Sequence, residues 1–315
     1  MSVFTRVARP AILAAARRDG LRRTAQRLPI TREVVHRFVP GDTVQDAMES
    51  VADLRNSGRM VSIDHLGEDV TDIATAQATV QAYLGLLGAL HARAETDSAV
   101  RPLEVSLKLS ALGQALAHDG EKVALENARI ICERAAEVGV WVTVDAEDHT
   151  TTDSTLSIVR DLRVDFGWVG TVLQAYLKRT PADCAELADA RIRLCKGAYD
   201  EPASVAHRDA EEVTESYLRC LRILMAGPGY PMVASHDPAI IERVPGLAAE
   251  YDRRSGDFEY QMLYGIRDDE QRRLADAGAR VRVYVPFGSQ WYGYFVRRLA
   301  ERPANLMFFL RALRD

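Results

Sequence analysis

The chain has 315 residues, of which 47% are hydrophobic, enough to bury one large core. It carries 40 basic and 45 acidic residues, and a net charge of −5 gives no electrostatic reason to expect a nucleic-acid partner. Four scattered cysteines without CxxC spacing, and no recognisable secretory signal, favour a reducing cytoplasmic compartment. We expect no membrane span, because no apolar run approaches the roughly 18 residues that a span needs.

The first 40 residues form an unusually basic segment, with nine arginines and no lysine against only Asp19 and Glu33. Such a composition is typical of a helix that touches anionic lipid at the inner face of a membrane, or of a transit peptide. It is also typical of a packed helix with a solvated basic face. We assign residues 1–58 to an N-terminal helical arm packed on the catalytic domain, and residues 59–315 to that domain.

Eight short, β-branched runs alternate with longer segments of helical period. The intervening segments, such as Glu121–Val138 and Pro202–Met225, have apolar residues at helical spacing, as crossover helices require. Repeated βα units predict a parallel sheet, and eight of them predict closure into an α/β barrel. An open doubly wound sheet is the rival fold, but no G-x-G-x-x-G motif follows a strand. The predicted strands are Met60–Asp64, Leu103–Lys108, Val140–Asp145, Val169–Gln174, Arg191–Lys196, Met232–His236, Phe258–Leu263 and Val281–Pro286.

Polar or charged residues stand at the ends of nearly all these strands. The carboxyl ends of barrel strands converge on one face, where active sites of this fold lie. A strand end also runs naturally into a polar loop, so one such residue would carry no meaning, whereas a full set favours an enzyme. The residues are Asp64, Lys108, Asp145, Gln174, Lys196 and His236, with Gln261 inside the seventh strand.

The second strand alternates strictly between apolar and polar residues. This pattern places Glu104, Ser106, Lys108 and Ser110 on one face, and the apolar residues between them on the face that packs outward against helices. Lys108 then points into the barrel mouth, where a buried ammonium needs a carboxylate partner. Asp145, also at a strand end, is the first candidate for that partner.

The segment Arg191–Tyr199 places two arginines and a lysine in and just after the fifth strand, followed by a turn on Gly197 and Ala198. A glycine turn allows the backbone to approach a ligand closely. Cationic side chains beside it suit a pyrophosphate or the N1 side of a flavin. A purely structural network of arginines and carboxylates is the alternative.

The last motif runs from Tyr284 to Glu301, with a helix expected after Gly288. On that helix Tyr294, Arg297 and Arg298 share one face. The two guanidiniums can grip one carboxylate, and the tyrosines can form an aromatic wall. A surface helix with i,i+4 ion pairs is the alternative, although such a helix does not need so many aromatic residues.

Other kinds of site have little support in the sequence. The histidines are scattered, and no His-x-x-x-His pair or carboxylate cluster has metal-ligand spacing, so we predict no metal. The acidic patch at residues 145–149 is a weak exception. A serine hydrolase is disfavoured because no Gly-x-Ser-x-Gly elbow occurs.

Seven motifs together resemble the monofunctional bacterial proline dehydrogenases over about residues 60–310. The resemblance implies a distorted (βα)8 barrel with a C-terminal helix over the active site, FAD as cofactor, and oxidation of L-proline to 1-pyrroline-5-carboxylate. It also implies quinone as electron acceptor. Nothing resembles an aldehyde dehydrogenase domain, so a separate pyrroline-5-carboxylate dehydrogenase is expected for the next step. The motifs are Leu107–Ser110, Val144–Glu147, Leu173–Tyr176, Arg193–Tyr199, Ala234–Asp237, Phe258–Gly265 and the block Tyr284–Asn305.

The same resemblance implies roles for individual residues, with Asp145, Arg193 and Lys108 as the catalytic ones. Cys195, Ser235 and Gly293 depart from the family pattern, and a glycine at position 293 favours a looser last helix. The implied substrate residues are Lys108, Asp145, Leu263, Tyr284, Tyr294, Arg297 and Arg298. The implied flavin contacts are Ala146, Gln174, Arg193, Lys196, Gly197, Ala198, Ser235 and His236.

Two other functions are compatible with the residues alone. A Schiff-base aldolase on the same barrel would use Lys108 or Lys196 as nucleophile, with the arginines binding a carboxylate or phosphate. A non-enzymatic barrel that binds an amino acid, or a membrane through its basic arm, would show no proline-dependent change in any chromophore.

Overall fold

We describe the fold from a computed structural model of the chain, which describes residues 35–95 and 99–301 and the side chains of that part up to residue 296. The core is a closed barrel of eight parallel strands, in which each strand pairs with the next along the chain and the last pairs with the first. The predicted α/β barrel is thus confirmed, and each predicted strand is found within two residues of its expected ends. The strands are β1 Met60–His65, β2 Leu103–Leu107, β3 Trp141–Val144, β4 Gly170–Gln174, β5 Arg191–Cys195, β6 Tyr230–Ala234, β7 Glu259–Leu263 and β8 Val281–Phe287.

Helices connect the strands on the outside of the barrel. The described helices are α1 Val44–Asn56, α2 Ile73–His91, α3 Gly120–Val138, α4 Thr152–Asp165, α5 Thr180–Glu186, α6 Ala210–Ala226, α7 Pro238–Ile241, α8 Val244–Glu250, α9 Asp268–Asp276 and α10 Trp291–Glu301. The helix predicted at Glu121–Val138 is confirmed by α3. The helix predicted from Pro202 begins only at Ala210, because the side chain of Asp209 accepts hydrogen bonds from the next turn and caps α6. Residues 202–209 instead form a connection along the barrel mouth.

Strand β2 shows how the sequence pattern builds the barrel wall. Leu103, Val105 and Leu107 are fully buried in an apolar cluster between the sheet and its helices, as the alternation predicts. Burial of each such side chain stabilises the fold by about 1.5–3 kcal/mol. The intervening Glu104 and Ser106 point into the barrel, where they meet polar side chains from β1 and β5. The outward face of β2 therefore supplies stability, and its inward face supplies polar groups.

Helix α2 corrects one expectation from the sequence. By length and hydropathy alone, Ile73–His91 could span a membrane, so the expectation that no apolar run reaches that length was wrong. In the barrel, its residues Val80, Leu86 and Leu90 are buried in the cluster that α2 shares with β1 and α3. One face of this helix thus packs in the core, where 39% of its apolar window is buried.

The part of the N-terminal arm that the structure describes lies against the barrel. Thr43 and Asp46 form a reciprocal capping box at the start of α1, whose residues Ala47 and Val51 are buried in the main apolar cluster. Ahead of it, Phe38 packs with residues of α10 in a separate cluster. Residues 1–34 lie outside the described residues, and they contain eight of the nine arginines of the basic segment. The assignment of residues 1–58 as one arm therefore stays a prediction.

Candidate active site

The lower part of the barrel interior holds a layer of ion pairs that we call the lower layer: Glu104, Arg191, Glu259 and Arg282. Arg282 donates from Nε and Nη2 to the two carboxylate oxygens of Glu259, at 2.6 and 3.0 Å. Arg191 is ion-paired with Glu104, and its guanidinium stacks 3.7 Å from the centre of the Trp141 ring. Although burial opposes ionisation, the guanidiniums of Arg282 and Arg191, with that of a third arginine, hold the pKa of Glu104 well below its usual range. Arg191 therefore belongs to a purely structural network of arginines and carboxylates, which was the alternative to a ligand-binding role for the arginines of β5.

Arg193 connects the lower layer to the barrel mouth. Its Nη2 donates to Glu104 at 2.7 Å, and its Nη1 donates to Asp145 at 2.6 Å. Its Nε donates to Gln261 at 2.5 Å. Despite burial, the carboxylates of Asp145 and Glu104 raise the pKa of Arg193, so it carries a permanent charge. Since the guanidinium is held on several sides, it provides a rigid positive charge just below the mouth.

The mouth cluster consists of Asp64, Lys108, Asp145 and Tyr284, with Arg193 beneath it. Lys108 Nζ donates to Asp64 Oδ2 at 2.5 Å, so the prediction that Asp145 is its direct partner was wrong. Asp64 on β1 and Asp145 just after β3 lie on the two strands that flank Lys108, but Arg193 holds one oxygen of Asp145 and Lys108 donates to Asp64. The other oxygen of Asp145 accepts a hydrogen bond from the Tyr284 hydroxyl at 2.8 Å.

The electrostatics of the mouth follow from this pairing. Burial lowers the pKa of Lys108, but Asp64 and Asp145 outweigh it, so the net shift is upward and Lys108 stays an ammonium. Burial raises the pKa of Asp145, with Arg193 and Lys108 opposing. Two anions and two cations thus lie together, all of them buried. Such an arrangement suits a zwitterionic ligand and a proton transfer.

Two residues that support the mouth were not in the predicted site. Asp64 was noted as a strand-end residue but was given no role. Tyr83 of α2 donates from its hydroxyl to the carbonyl oxygen of Ser106 at 2.6 Å, and that hydroxyl lies 3.4 Å from Asp64 Oδ1. Strand order could have placed Asp64 beside Lys108, but it places Asp145 there equally well, because β2 lies between β1 and β3. Nothing in the apolar pattern of α2 marks Tyr83, because it looks like any other core position.

The residues expected to contact a flavin gather near the carboxyl ends of β3, β4, β5 and β6, beside the mouth cluster; we call this region the cofactor side. Lys196 is ion-paired with Asp237 at 2.6 Å and is half-buried. His236 Nε2 accepts a hydrogen bond from the backbone N–H of Leu263 at 2.9 Å, which places its ring proton on Nδ1. Gly197 has φ of 110°, and a Cβ there would collide with the ring of Tyr176.

The cofactor side is suited to a flavin by its donors. A half-exposed ammonium at Lys196 and a backbone turn that only glycine fits at Gly197 directly follow β5, and the fixed charge of Arg193 lies inside the same strand. Gln174 is held in place by a bond from its Nε2 to the carbonyl oxygen of Glu147 at 2.7 Å. Cations and backbone donors of this kind are what the anionic phosphates and N1 side of FAD require.

The acidic patch at residues 145–149 is bonded to other parts of the protein. Asp145 pairs with Arg193, and Glu147 accepts from the hydroxyl and the N–H of Ser110 at 2.5 and 3.1 Å. His149 pairs with Glu201. Burial raises the pKa of Glu147. Within residues 35–95 and 99–301, no group of three His, Cys, Asp or Glu side chains is placed to hold a metal ion.

The start of α10 lies over the carboxyl ends of the strands. Tyr294 is buried in a cluster with Leu66, which directly follows β1, and the ring of Tyr284 packs against this cluster. Leu263 stands at the end of β7. The side chains of Arg297 and Arg298 lie outside the described residues, so the predicted clamp is not described by the structure.

A proline dehydrogenase family model matches residues 47–311, nearly the whole barrel. The chain belongs to the proline dehydrogenase family. It is 40% identical over 309 residues to a proline dehydrogenase of Deinococcus radiodurans, and the match covers 97% of both chains. It is 39% identical over 285 residues to proline dehydrogenase 1 of Bacillus subtilis strain 168, covering 90% of this chain and 91% of the relative. The resemblance to monofunctional members of the family is thereby confirmed.

The bifunctional relatives are much longer than this chain. A crystal structure of a Bradyrhizobium japonicum proline utilization A (PutA) mutant superposes with a TM-score of 0.74 at 25% identity, covering 90% of this chain but 32% of that one. A PutA structure from Bdellovibrio bacteriovorus, inactivated by N-propargylglycine, has a TM-score of 0.77 at 24% identity and supports the fold. It covers 85% of this chain and again 32% of the other. The chain thus spans about a third of these two structures and corresponds to their proline dehydrogenase domain.

Proposed function

We propose that this chain oxidises L-proline to 1-pyrroline-5-carboxylate, with FAD as the hydride acceptor and a quinone as the final electron acceptor. The observation that carries the proposal is the mouth cluster, in which the Lys108–Asp64 and Arg193–Asp145 pairs lie directly beside the cofactor side. The charges of the mouth cluster are balanced rather than uniformly positive. The cluster therefore suits a small zwitterion better than a phosphate.

We assign the substrate to the residues around the mouth. Arg297 and Arg298 anchor the proline carboxylate, because two guanidiniums bind a carboxylate with strong, directional hydrogen bonds. Leu263, Tyr284 and Tyr294 enclose the ring. The apolar cluster around Tyr294 supports this assignment, because it packs against Leu66, which follows β1, and against Tyr284 of β8.

The cofactor assignment rests on the donors described above. Bound FAD supplies the acceptor for the hydride that leaves the ring carbon next to the proline nitrogen. The backbone turn at Gly197 allows close approach, and Lys196 and Arg193 supply positive charge. The remaining contacts that we propose are Ala146, Gln174, Ala198, Ser235 and His236.

The protein residues have to prepare the substrate nitrogen for this transfer. A protonated amine cannot donate electron density to the departing hydride, so the nitrogen must lose its proton first. Lys108 is already an ammonium and cannot take that proton. Asp145 is the available acceptor, since burial raises its pKa toward that of a useful base. Tyr284 orients this carboxylate through its 2.8 Å hydrogen bond.

A Schiff-base aldolase is not favoured by this geometry. A nucleophilic lysine must be available as the neutral amine, which burial or a neighbouring cation usually provides. Lys108 has the opposite environment, because two carboxylates raise its pKa. Lys196 is committed to Asp237 and to the Thr214 hydroxyl, at 2.6 and 3.0 Å.

The deciding experiment is an absorbance spectrum of the purified protein before and after L-proline is added without oxygen. We expect a yellow protein whose flavin band disappears with proline and returns with a soluble quinone. A sample without proline, kept equally long, controls for slow photoreduction. A colourless protein, or a flavin that proline leaves oxidised, would contradict the proposal.

We also propose a cellular setting for the reaction. The arm of residues 1–58 packs on the barrel of residues 59–315 in the cytoplasm, and its arginines contact the inner face of the membrane, where quinone is found. The nine arginines among the first 40 residues support this. The product passes to a separate pyrroline-5-carboxylate dehydrogenase. Sedimentation with anionic vesicles, compared with neutral ones, tests the membrane contact.

A further inference from the structure

Glu201 is a buried carboxylate to which the proline chemistry assigns no role. It lies in the connection after β5 and is 5% exposed. Its Oε1 accepts hydrogen bonds from the backbone N–H of His149 at 2.9 Å and from the Tyr176 hydroxyl at 3.2 Å. Its Oε2 bonds to Nδ1 of His149. A buried carboxylate that satisfies both oxygens in this way fixes its partners in place.

The three residues of this Glu201 cluster (Glu201, His149 and Tyr176) come from three different connections at the barrel mouth. His149 belongs to the connection after β3, Tyr176 to the one after β4, and Glu201 to the one after β5. These connections carry the flavin contacts proposed above at Ala146, near Gln174, and at the turn of residues 196–198. One carboxylate therefore joins the three segments on which the cofactor side is built.

Tyr176 transmits this restraint to the glycine turn. Its N–H donates to the carbonyl oxygen of Lys196 at 2.9 Å, and its ring lies so close to Gly197 that a Cβ there would approach ring atoms to 2.2 Å. Any movement of the ring must therefore move the turn. The hydroxyl of the same ring is bonded to Glu201. Arg208 holds the other side of the connection by donating to the carbonyl oxygen of Glu201 at 2.9 Å.

We propose that Glu201 is a positioning residue for FAD, which holds the turn at Gly197 in its binding conformation by tying His149 and Tyr176 to the connection after β5. This inference rests on the proposed function. It assigns a role in cofactor retention to a residue that touches neither the proline nor the mouth cluster, and it predicts that flavin affinity and proline affinity respond separately to its replacement.

The test measures dissociation of FAD from the diluted holoenzyme by flavin fluorescence, in the parent and in Glu201→Ala and Glu201→Gln. We expect dissociation in Glu201→Ala to be faster by about tenfold or more, because the three hydrogen bonds that tie Glu201 to His149 and Tyr176 are lost. Glutamine still accepts from the His149 N–H and the Tyr176 hydroxyl, so it should stay within about threefold of the parent. With FAD in excess, the KM for proline should stay within about twofold in both variants.

A matched control separates positioning from a general loss of stability. Asp183 of α5 is also a buried carboxylate, but it pairs with Arg179, the residue directly before that helix. Asp183→Ala should lower the unfolding temperature and leave FAD dissociation within about twofold of the parent. The proposal would be overturned if FAD dissociated equally fast from Asp183→Ala and Glu201→Ala. It would also be overturned if Glu201→Ala released FAD no faster than the parent.

A milder variant keeps the proposal testable if Glu201→Ala does not fold. Tyr176→Phe keeps the ring under Gly197 and removes only the hydroxyl bond to Glu201. We expect FAD to dissociate about threefold faster from it, with an altered visible circular dichroism of the bound flavin. An unchanged rate and spectrum would overturn the role of this bond. A parent protein that carries no flavin would instead overturn the proposed function itself, and this inference with it.

Discussion

The barrel interior contains ion pairs at two levels, and their surroundings differ. In the lower layer Glu259 and Arg282 are completely buried, and Trp141 covers Arg191. At the mouth, Lys108 and Asp145 are only slightly exposed, but they lie next to the connections that follow the strands. Burial of charge is therefore common to both levels. Position along the strand, toward the carboxyl ends, is what separates a site that can meet a ligand from one that stabilises the barrel.

Arg193 is the residue that both levels share. Below, it neutralises Glu104, and above, it holds Asp145. The lower layer can therefore influence the mouth by fixing the position of this guanidinium. The comparison predicts that changes in the lower layer alter stability, changes at the mouth alter catalysis, and a change of Arg193 alters both.

The largest effect is expected for Arg193→Ala. Its removal leaves Glu104 and Asp145 with one guanidinium fewer in a buried site, which should lower the free energy of unfolding by about 3–5 kcal/mol. Urea unfolding measures this change, and the flavin reduction potential and kcat measure the loss at the mouth. Arg193→Lys keeps the charge and should recover part of the stability. A stable Arg193→Ala protein with an unshifted potential would contradict the shared role.

Glu259→Gln tests the lower layer alone. The amide leaves Arg282 without its charged partner, and we expect the free energy of unfolding to fall by about 3 kcal/mol. The folded enzyme at low temperature should keep its kcat within about twofold, because Glu259 does not contact the mouth cluster. A large loss of kcat without loss of stability would show that the two levels are not separate.

Lys108→Met tests the mouth alone. The change removes the partner of Asp64 and a charge beside Asp145, and we expect kcat to fall by about a hundredfold, equivalent to about 2.7 kcal/mol. The exposed Lys122, paired with Glu126 on α3, gives the matched control Lys122→Met, which should behave as the parent. Steady-state kinetics at saturating proline measure the difference. Equal rates in the two variants would remove Lys108 from the proposed machinery.

Arg297→Met and Arg298→Met test the carboxylate clamp. Loss of one charge-assisted bond should raise the KM for proline by about tenfold or more in each variant, while FAD stays bound. Arg272, exposed on α9 and paired with Asp268, provides the control Arg272→Met with an unchanged KM. An unchanged KM in both clamp variants would contradict the clamp.

The smallest effect concerns His65, which follows Asp64 at the rim of the mouth. Burial lowers its pKa below 6.5, with Lys108 adding to the effect and Asp64 opposing it. Because the unfolded chain takes up this proton first, stability should fall as the pH drops below about 6.5. Urea midpoints at pH 8, 6 and 5 should therefore fall more steeply in the parent than in His65→Gln. Parallel curves would exclude this contribution.

Local sequence patterns determined the barrel and much of the candidate site. The alternation in β2 predicted that Glu104 and Lys108 point inward, and the structure confirms the inward direction of both. The glycine turn after β5 was also predicted, and Gly197 adopts the positive φ that it required. Periodicity and turn chemistry act over a few residues, so a single chain segment is enough to reveal them.

Tertiary structure decided which side chains become partners. The strand order places Asp64 and Asp145 on either side of Lys108, and only the folded structure shows that Lys108 donates to Asp64. The same is true of Glu201, which becomes meaningful only when the connections carrying His149 and Tyr176 meet it. Partner choice depends on distances between segments far apart in the chain, and those distances exist only after the sheet has closed.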